Sequence, residues 1–164
     1  MTGEADASDN IASKSVTHVA FSTEKNVDNF GMSDSGIPTQ SVVTVTNDII
    51  ISDVNVTLNL FHVNDSDLEI KLVAPGGGTE VMLSNRKGGS VDNYTNTTFD
   101  DDASTPIASG TAPFNGSFIP DGDLNVLNGL SSVGDWTLII TDKNNNSQGG
   151  ALLDWTMQLC ANTS

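Results

Sequence analysis

The sequence predicts an all-β fold of mainly antiparallel strands, a sandwich or a barrel, and three observations carry that prediction. Apolar and polar residues alternate with a period of two in segment after segment. Gly- and Pro-rich turns separate those segments. No stretch of useful length holds a 3.6-residue period with helix caps.

Residues 1–15 are polar and aperiodic and read as a linker or an appended remnant, leaving 16–164 as one domain. Val16 to Phe21 is a short apolar run that predicts a first strand. Gly31, Gly36 and Pro38 punctuate residues 22–40, which read as a loop before a strand at Val42, Val43 and Val45. The clearest strand is Asp53 to Phe61, where Val54, Val56, Leu58 and Leu60 alternate with Asn55, Thr57 and Asn59. Leu68, Ile70 and Leu72 repeat the pattern, Pro75-Gly76-Gly77-Gly78 turns the chain, and Val81 and Leu83 return. That is a hairpin, because glycine supplies the positive φ a tight reversal needs. Residues 86–115 read mostly as loop, with Thr97 to Phe99 pairing briefly, and a loop this long in a compact domain usually carries function. Asp123 to Asn128 has room for one helical turn at most. Trp136, Leu138 and Ile140 then alternate in a strand, Asp142 to Gly150 reads as a mobile polar loop, and Leu153, Trp155, Met157 and Leu159 form the last strand. Cys160 reads as a small buried hydrophobe, and a lone cysteine has no internal disulfide partner.

The composition narrows the function classes. Twenty-one acidic residues against 6 basic ones give a net charge of −15, a field that repels nucleic acid and anionic membrane surfaces alike. Clustered carboxylates point instead to hard cations, calcium above all, with solubility as the plainer reading of the same acidity. No apolar run is long enough for a membrane span. Met1 to Asp6 lacks the regions of a signal peptide, so the expectation is a domain excised from a longer exported protein. Catalysis by this domain is not expected. His18 and His62 are the only histidines, and neither a Gly-x-Ser-x-Gly elbow nor a His-Glu-x-x-His pair occurs.

A set of motifs then points to a family. Asp65-Ser66-Asp67-Leu68-Glu69-Ile70, Leu72-Val73-Ala74-Pro75-Gly76 and Thr79 resemble the hairpin of P/Homo B domains, the P domains of proprotein convertases. Gly88-Gly89-Ser90-Val91-Asp92-Asn93 followed by Thr98-Phe99-Asp100-Asp101-Asp102-Ala103 is similar to that family's next segment. Ala112-Pro113-Phe114, Gly116-Ser117-Phe118 and Pro120, Gly134-Asp135-Trp136-Thr137-Leu138, and Gly150 to Leu159 continue the likeness in order. Ala74 stands where the family usually has Ser, and the hairpin turn holds one extra Gly. The resemblance implies an eight-stranded jelly roll, secreted, often with bound calcium. It also implies a partner in the same polypeptide, a subtilisin-like catalytic domain that this domain stabilises or positions, with a further role in substrate binding. The competing reading is an extracellular polysaccharide- or protein-binding module attached to another exported enzyme or an adhesin.

The candidate metal ligands are Asp65, Asp67, Asp92, Asp100, Asp101 and Asp102. Calcium takes six to eight oxygens, so one acidic loop is seldom enough. The expectation is that the hairpin and the 86–103 loop meet at one end and bring these carboxylates together. The alternative is that they are solvated turn formers. Asp142 to Ser147 and Asp121-Gly122-Asp123 read as turns before ligands. Trp136 and Trp155 fall in phase with core positions, whereas Tyr94, Phe114 and Phe118 fall in loops, where Tyr94 is the candidate contact for a binding module.

Overall fold

The computed structural model of the chain describes residues 18–26 and 30–162. The polar segment 1–15 and Val16 lie outside the described residues. Among those described, ten strands follow in order: β1 (His18–Asn26), β2 (Phe30–Met32), β3 (Thr39–Val45), β4 (Ile51–His62), β5 (Leu68–Val73), β6 (Glu80–Asn85), β7 (Tyr94–Phe99), β8 (Phe114–Phe118), β9 (Gly134–Asp142) and β10 (Gly150–Asn162). They form two sheets. One runs β1-β10-β4-β7-β8, with β2 also on β10, and the other runs β3-β9-β5-β6. Every pairing of these strands is antiparallel except β7 with β8.

The period-two alternation does what its physics requires. Val54, Val56, Leu58 and Leu60 of β4 and Trp155, Met157 and Leu159 of β10 turn inward. They share one buried core with Ile70, Leu72, Trp136, Leu138 and Ile140 of the other sheet. Both indole N–H groups are satisfied inside the core, Trp136 donating to the Ser132 carbonyl at 2.8 Å and Trp155 to the Ser41 hydroxyl at 2.8 Å.

Two expectations need correction. Residues 22–40 are not all loop, because β1 runs on to Asn26 and β2 adds three residues beside β10. These strands are held by backbone pairing and carry no clear alternation of their own. Residues 86–115 contain the whole of β7 and the start of β8, not a brief pairing. β7 lies between β4 and β8, and its alternation is broken by a register shift opposite Leu58 and Leu60, where Asn96 has φ 45°. Its inward residues are Tyr94, Thr97 and Phe99, so Tyr94 is buried in the core. The expected turn at 123–128 is a 3-10 turn over Leu124–Leu127, capped by Asp123.

Strand directions define two ends. His62, Tyr94 and Asp142 lie at one, and Ile51, Phe99 and Gly134 at the other.

Candidate metal centre

At the Ile51 end, β4 and β7 bring acids together across the sheet. Their pairing sets Val56 opposite Phe99 and Thr57 opposite Thr98. Beyond Phe99 the chain turns at Asp101 and Asp102, beside Asp53 and Asn55 near the start of β4. Asp53, Asp100 and Asp102 each present a carboxylate oxygen within 4.8 Å of the others, the first two half-buried and the third exposed. Asp100 also accepts the Asp102 N–H at 2.8 Å, a tight turn that holds both carboxylates on one side. Asn55 completes the arrangement in either of two amide orientations. In one its nitrogen donates to Val54 O at 3.0 Å and Asp100 Oδ1 at 3.2 Å. In the other its nitrogen turns to Asp53 Oδ2 at 3.3 Å, and its oxygen faces the Val54 carbonyl and Asp100. The first orientation leaves no oxygen facing oxygen, so the Asn55 amide braces Asp100 by donating to it. The three carboxylates offer only oxygen, the donor type that a hard divalent ion takes.

Asp101 turns away from this group. Its Oδ2 accepts the Asn125 N–H at 2.7 Å at the start of the 3-10 turn. Burial raises its carboxyl above the ordinary carboxylate range, the N–H groups of Leu124 and Asn125 oppose that, and the neighbouring Asp123 adds to it.

Asp65, Asp67 and Asp92 lie at the other end. β7 separates Asp92 from Asp100, and its six residues span about 20 Å at roughly 3.3 Å each. The six sequence candidates therefore do not form one centre, because the segment expected to be a loop contains a strand that sets Asp92 before its start and Asp100 after its end. Asp65 and Asp67 are fully buried in a 3-10 turn, whereas Asp92 is exposed. Gly88, with φ +98°, lets the 88–93 segment pass against Asp65. There Val91 and Gly89 carbonyls accept the Asp65 and Ser66 N–H groups at 3.2 and 3.1 Å. Asp65 Oδ1 accepts the Asn93 N–H at 3.0 Å, and Oδ2 has no partner. Burial pushes this carboxyl up to about 7, the Asn93 N–H opposes the rise, and Asp92 adds to it.

Asp67 is fully engaged. It accepts the side-chain amides of Asn144 and, at 2.8 Å, Asn146. Those contacts tie down the loop after β9, which reads as free in the sequence. The same end holds a pair that sequence reasoning missed: His62 and Asp142, both fully buried, with Nε2 3.0 Å from Oδ2. His62 Nδ1 lies 2.8 Å from the Asn64 carbonyl oxygen. Both ring nitrogens are thus occupied, which leaves no base for a nucleophile here. The signal was present, since His62 falls in phase with Leu60 and Leu58 on the buried face of β4.

The comparisons with known proteins can be set beside this geometry. Residues 51–159, the larger part of the chain, match the model of the family described as the proprotein convertase P-domain. Among solved structures, the serine protease of Aeromonas sobria in complex with its chaperone is similar at a TM-score of 0.61 and 20% identity. That match covers 90% of this chain and 27% of that one. The structure of the Aeromonas sobria serine protease determined by itself gives the same TM-score and identity over 88% of this chain and 27% of that one. The chain therefore spans about a quarter of the length of these structures, and the likeness is one of fold. Among curated proteins, none matches the sequence.

Proposed function

This chain belongs to the proprotein convertase P-domain family, accessory domains of subtilisin-like proteases, and on that premise we propose that it is a calcium-binding support for a catalytic domain upstream in the same polypeptide. In this reading the whole protein is exported and the domain stabilises or positions the catalytic part. The observation that supports the metal is the approach of Asp53, Asp100 and Asp102 to within 4.8 Å. Three carboxylates so close repel one another in water, and an ion with six to eight oxygen ligands relieves that repulsion. Calcium would enter as a structural ligand, bridging β4 to the segment that follows β7.

A polysaccharide-binding module has less support. Such modules present exposed aromatic rings, and Trp136, Trp155 and Tyr94 are at most 1% exposed. Tyr94 stacks instead on Phe114 at 4.9 Å, with its hydroxyl 2.9 Å from that of Ser84.

The test is thermal unfolding after chelation, with calcium or magnesium added back. A ligand at about a hundred times its dissociation constant adds roughly 2.7 kcal/mol, which for a domain of this size raises the midpoint by about 5–10 °C. The rise should be specific to calcium, vanish in Asp100→Asn and persist in Asp92→Asn at the far end. No rise with calcium would remove the metal from the proposal. Loss in Asp92→Asn with retention in Asp100→Asn would move it to the other end. The protease part fails if the parent polypeptide carries no subtilisin-like domain upstream.

A further inference from the structure

The Ile51 end of the sandwich combines two surface properties. A strap over residues 127–133 lies along the approach to β4. The Ile51 N–H donates to Leu130 O at 2.9 Å, the Gly129 N–H to Ile51 O at 2.7 Å and the Ser132 N–H to Ile49 O at 3.0 Å. The bridge between Ile50 and Ser131 sets Ile50 within this strap. The strap and its neighbour leave large apolar side chains in solvent: Ile50 is 62% exposed, Val133 43% and Leu130 38%.

Around them the charge has one sign. Asp48 accepts the Ser131 hydroxyl at 2.7 Å, Asp135 accepts that of Thr44 at 2.6 Å, and Asp123 caps the neighbouring 3-10 turn. Asp48, Asp123 and Asp135 are all exposed. The cations whose side chains are described lie elsewhere. Arg86 reaches Ser66 O and Asn144, Lys87 lies 3.5 Å from Asp121, Lys143 follows Asp142, and Lys71 pairs with Glu69 in mid-strand. An apolar centre inside a polar rim is the anatomy of a protein interface, and a rim of one sign selects a partner of the opposite sign. The chain also enters the fold here. β1 begins with His18 opposite Asn162, and the adjoining Ala161 pairs with Ile51.

We infer that this end docks onto a basic face of the catalytic part of the same polypeptide, with Ile50, Leu130 and Val133 in the apolar centre of the contact. The inference rests on the accessory-domain reading and adds the surface through which the domain acts.

Carbodiimide treatment of the full-length parent protein, followed by mass spectrometry, tests it. The reagent joins a carboxylate and a lysine amine in direct contact as an amide, with loss of water to the carbodiimide. Asp48, Asp123 or Asp135 should couple to lysines of the catalytic part, links to Lys14 not counting. The pair Ile50→Asp with Leu130→Asp should abolish those links and speed proteolysis between the two parts several-fold. Phe61→Asp with Leu153→Asp, at exposed positions toward the opposite end, should do neither. The Lys87–Asp121 link, between residues far apart in sequence, reports that each variant is folded. Upstream links from Asp92 or Asp154 would overturn the surface assignment. So would unchanged proteolysis in the Ile50 and Leu130 variant without any upstream link. If the upstream region is no protease, the functional reading fails by itself, while the links still decide which end docks.

Discussion

Replacing Asp65 by Asn should flatten the pH dependence of stability between about pH 4 and about pH 7. The carboxyl is 0% exposed, one oxygen takes the Asn93 N–H at 3.0 Å, and the other has no partner. Burial raises it from 3.8 to about 7. The folded chain thus keeps this proton to near neutrality, while the unfolded chain releases it near pH 4. Within that window the folded state binds more protons than the unfolded one, so stability falls as pH rises, then levels above the folded value. At about 1.36 kcal/mol per unit the whole effect is on the order of 2–4 kcal/mol, or about 5–15 °C in midpoint for a domain of this size. Asn keeps an acceptor for the Asn93 N–H and removes the titration. The assay is thermal unfolding of both proteins in chelator at about pH 5 and about pH 8, read as the difference between their pH-induced shifts. Every other carboxylate titrates in both, so the difference isolates Asp65. Equal shifts would refute the buried, half-paired carboxyl described here.

Two further substitutions probe the same end. Gly88→Ala places a Cβ 2.8 Å from Asp65 Cβ and 2.9 Å from Phe114 Cε2 at φ +98°. It should cost about 2–4 kcal/mol in denaturant unfolding through strain and overpacking, and a loss below about 0.5 kcal/mol would contradict the close approach. Asn144→Asp replaces an amide donor on Asp67 with a like charge. It should destabilise by about 1–3 kcal/mol and speed amide hydrogen exchange over residues 143–149, whereas unchanged exchange would mean that Asp67 does not hold this loop.

The strands that were legible share one cause. β4, β5, β6, β9 and β10 each bury one face and wet the other, so burial writes a period of two into the sequence. β7 hides because its inward set includes Thr97, a polar residue made tolerable by its hydroxyl donating to Phe114 O at 2.6 Å, and because the bulge at Asn96 breaks its phase. β8 offers only Phe114 and Phe118 at its ends, with Asn-Gly-Ser between. The site follows the same logic. Asp100 and Asp102 stand out as a local acidic run. Asp53 reads as the first polar position of an alternating strand, and its neighbours are set by cross-strand register that no local pattern encodes. His62 and Asp142 likewise meet only through the packing of the two sheets.

The placement of β10 has a consequence for how the molecule is made. This strand lies between β1 and β4, yet all of the chain from the end of β4 at His62 to Gly150 must be synthesised before it begins. As the chain leaves the ribosome, β4 and β1 must wait with bare hydrogen-bonding edges until almost everything else has emerged. Closing so long a loop is entropically costly and slow, and the waiting edges are templates for aggregation. A chain interrupted before residue 150 would therefore be expected to lack the central pairing and to need shielding from other chains.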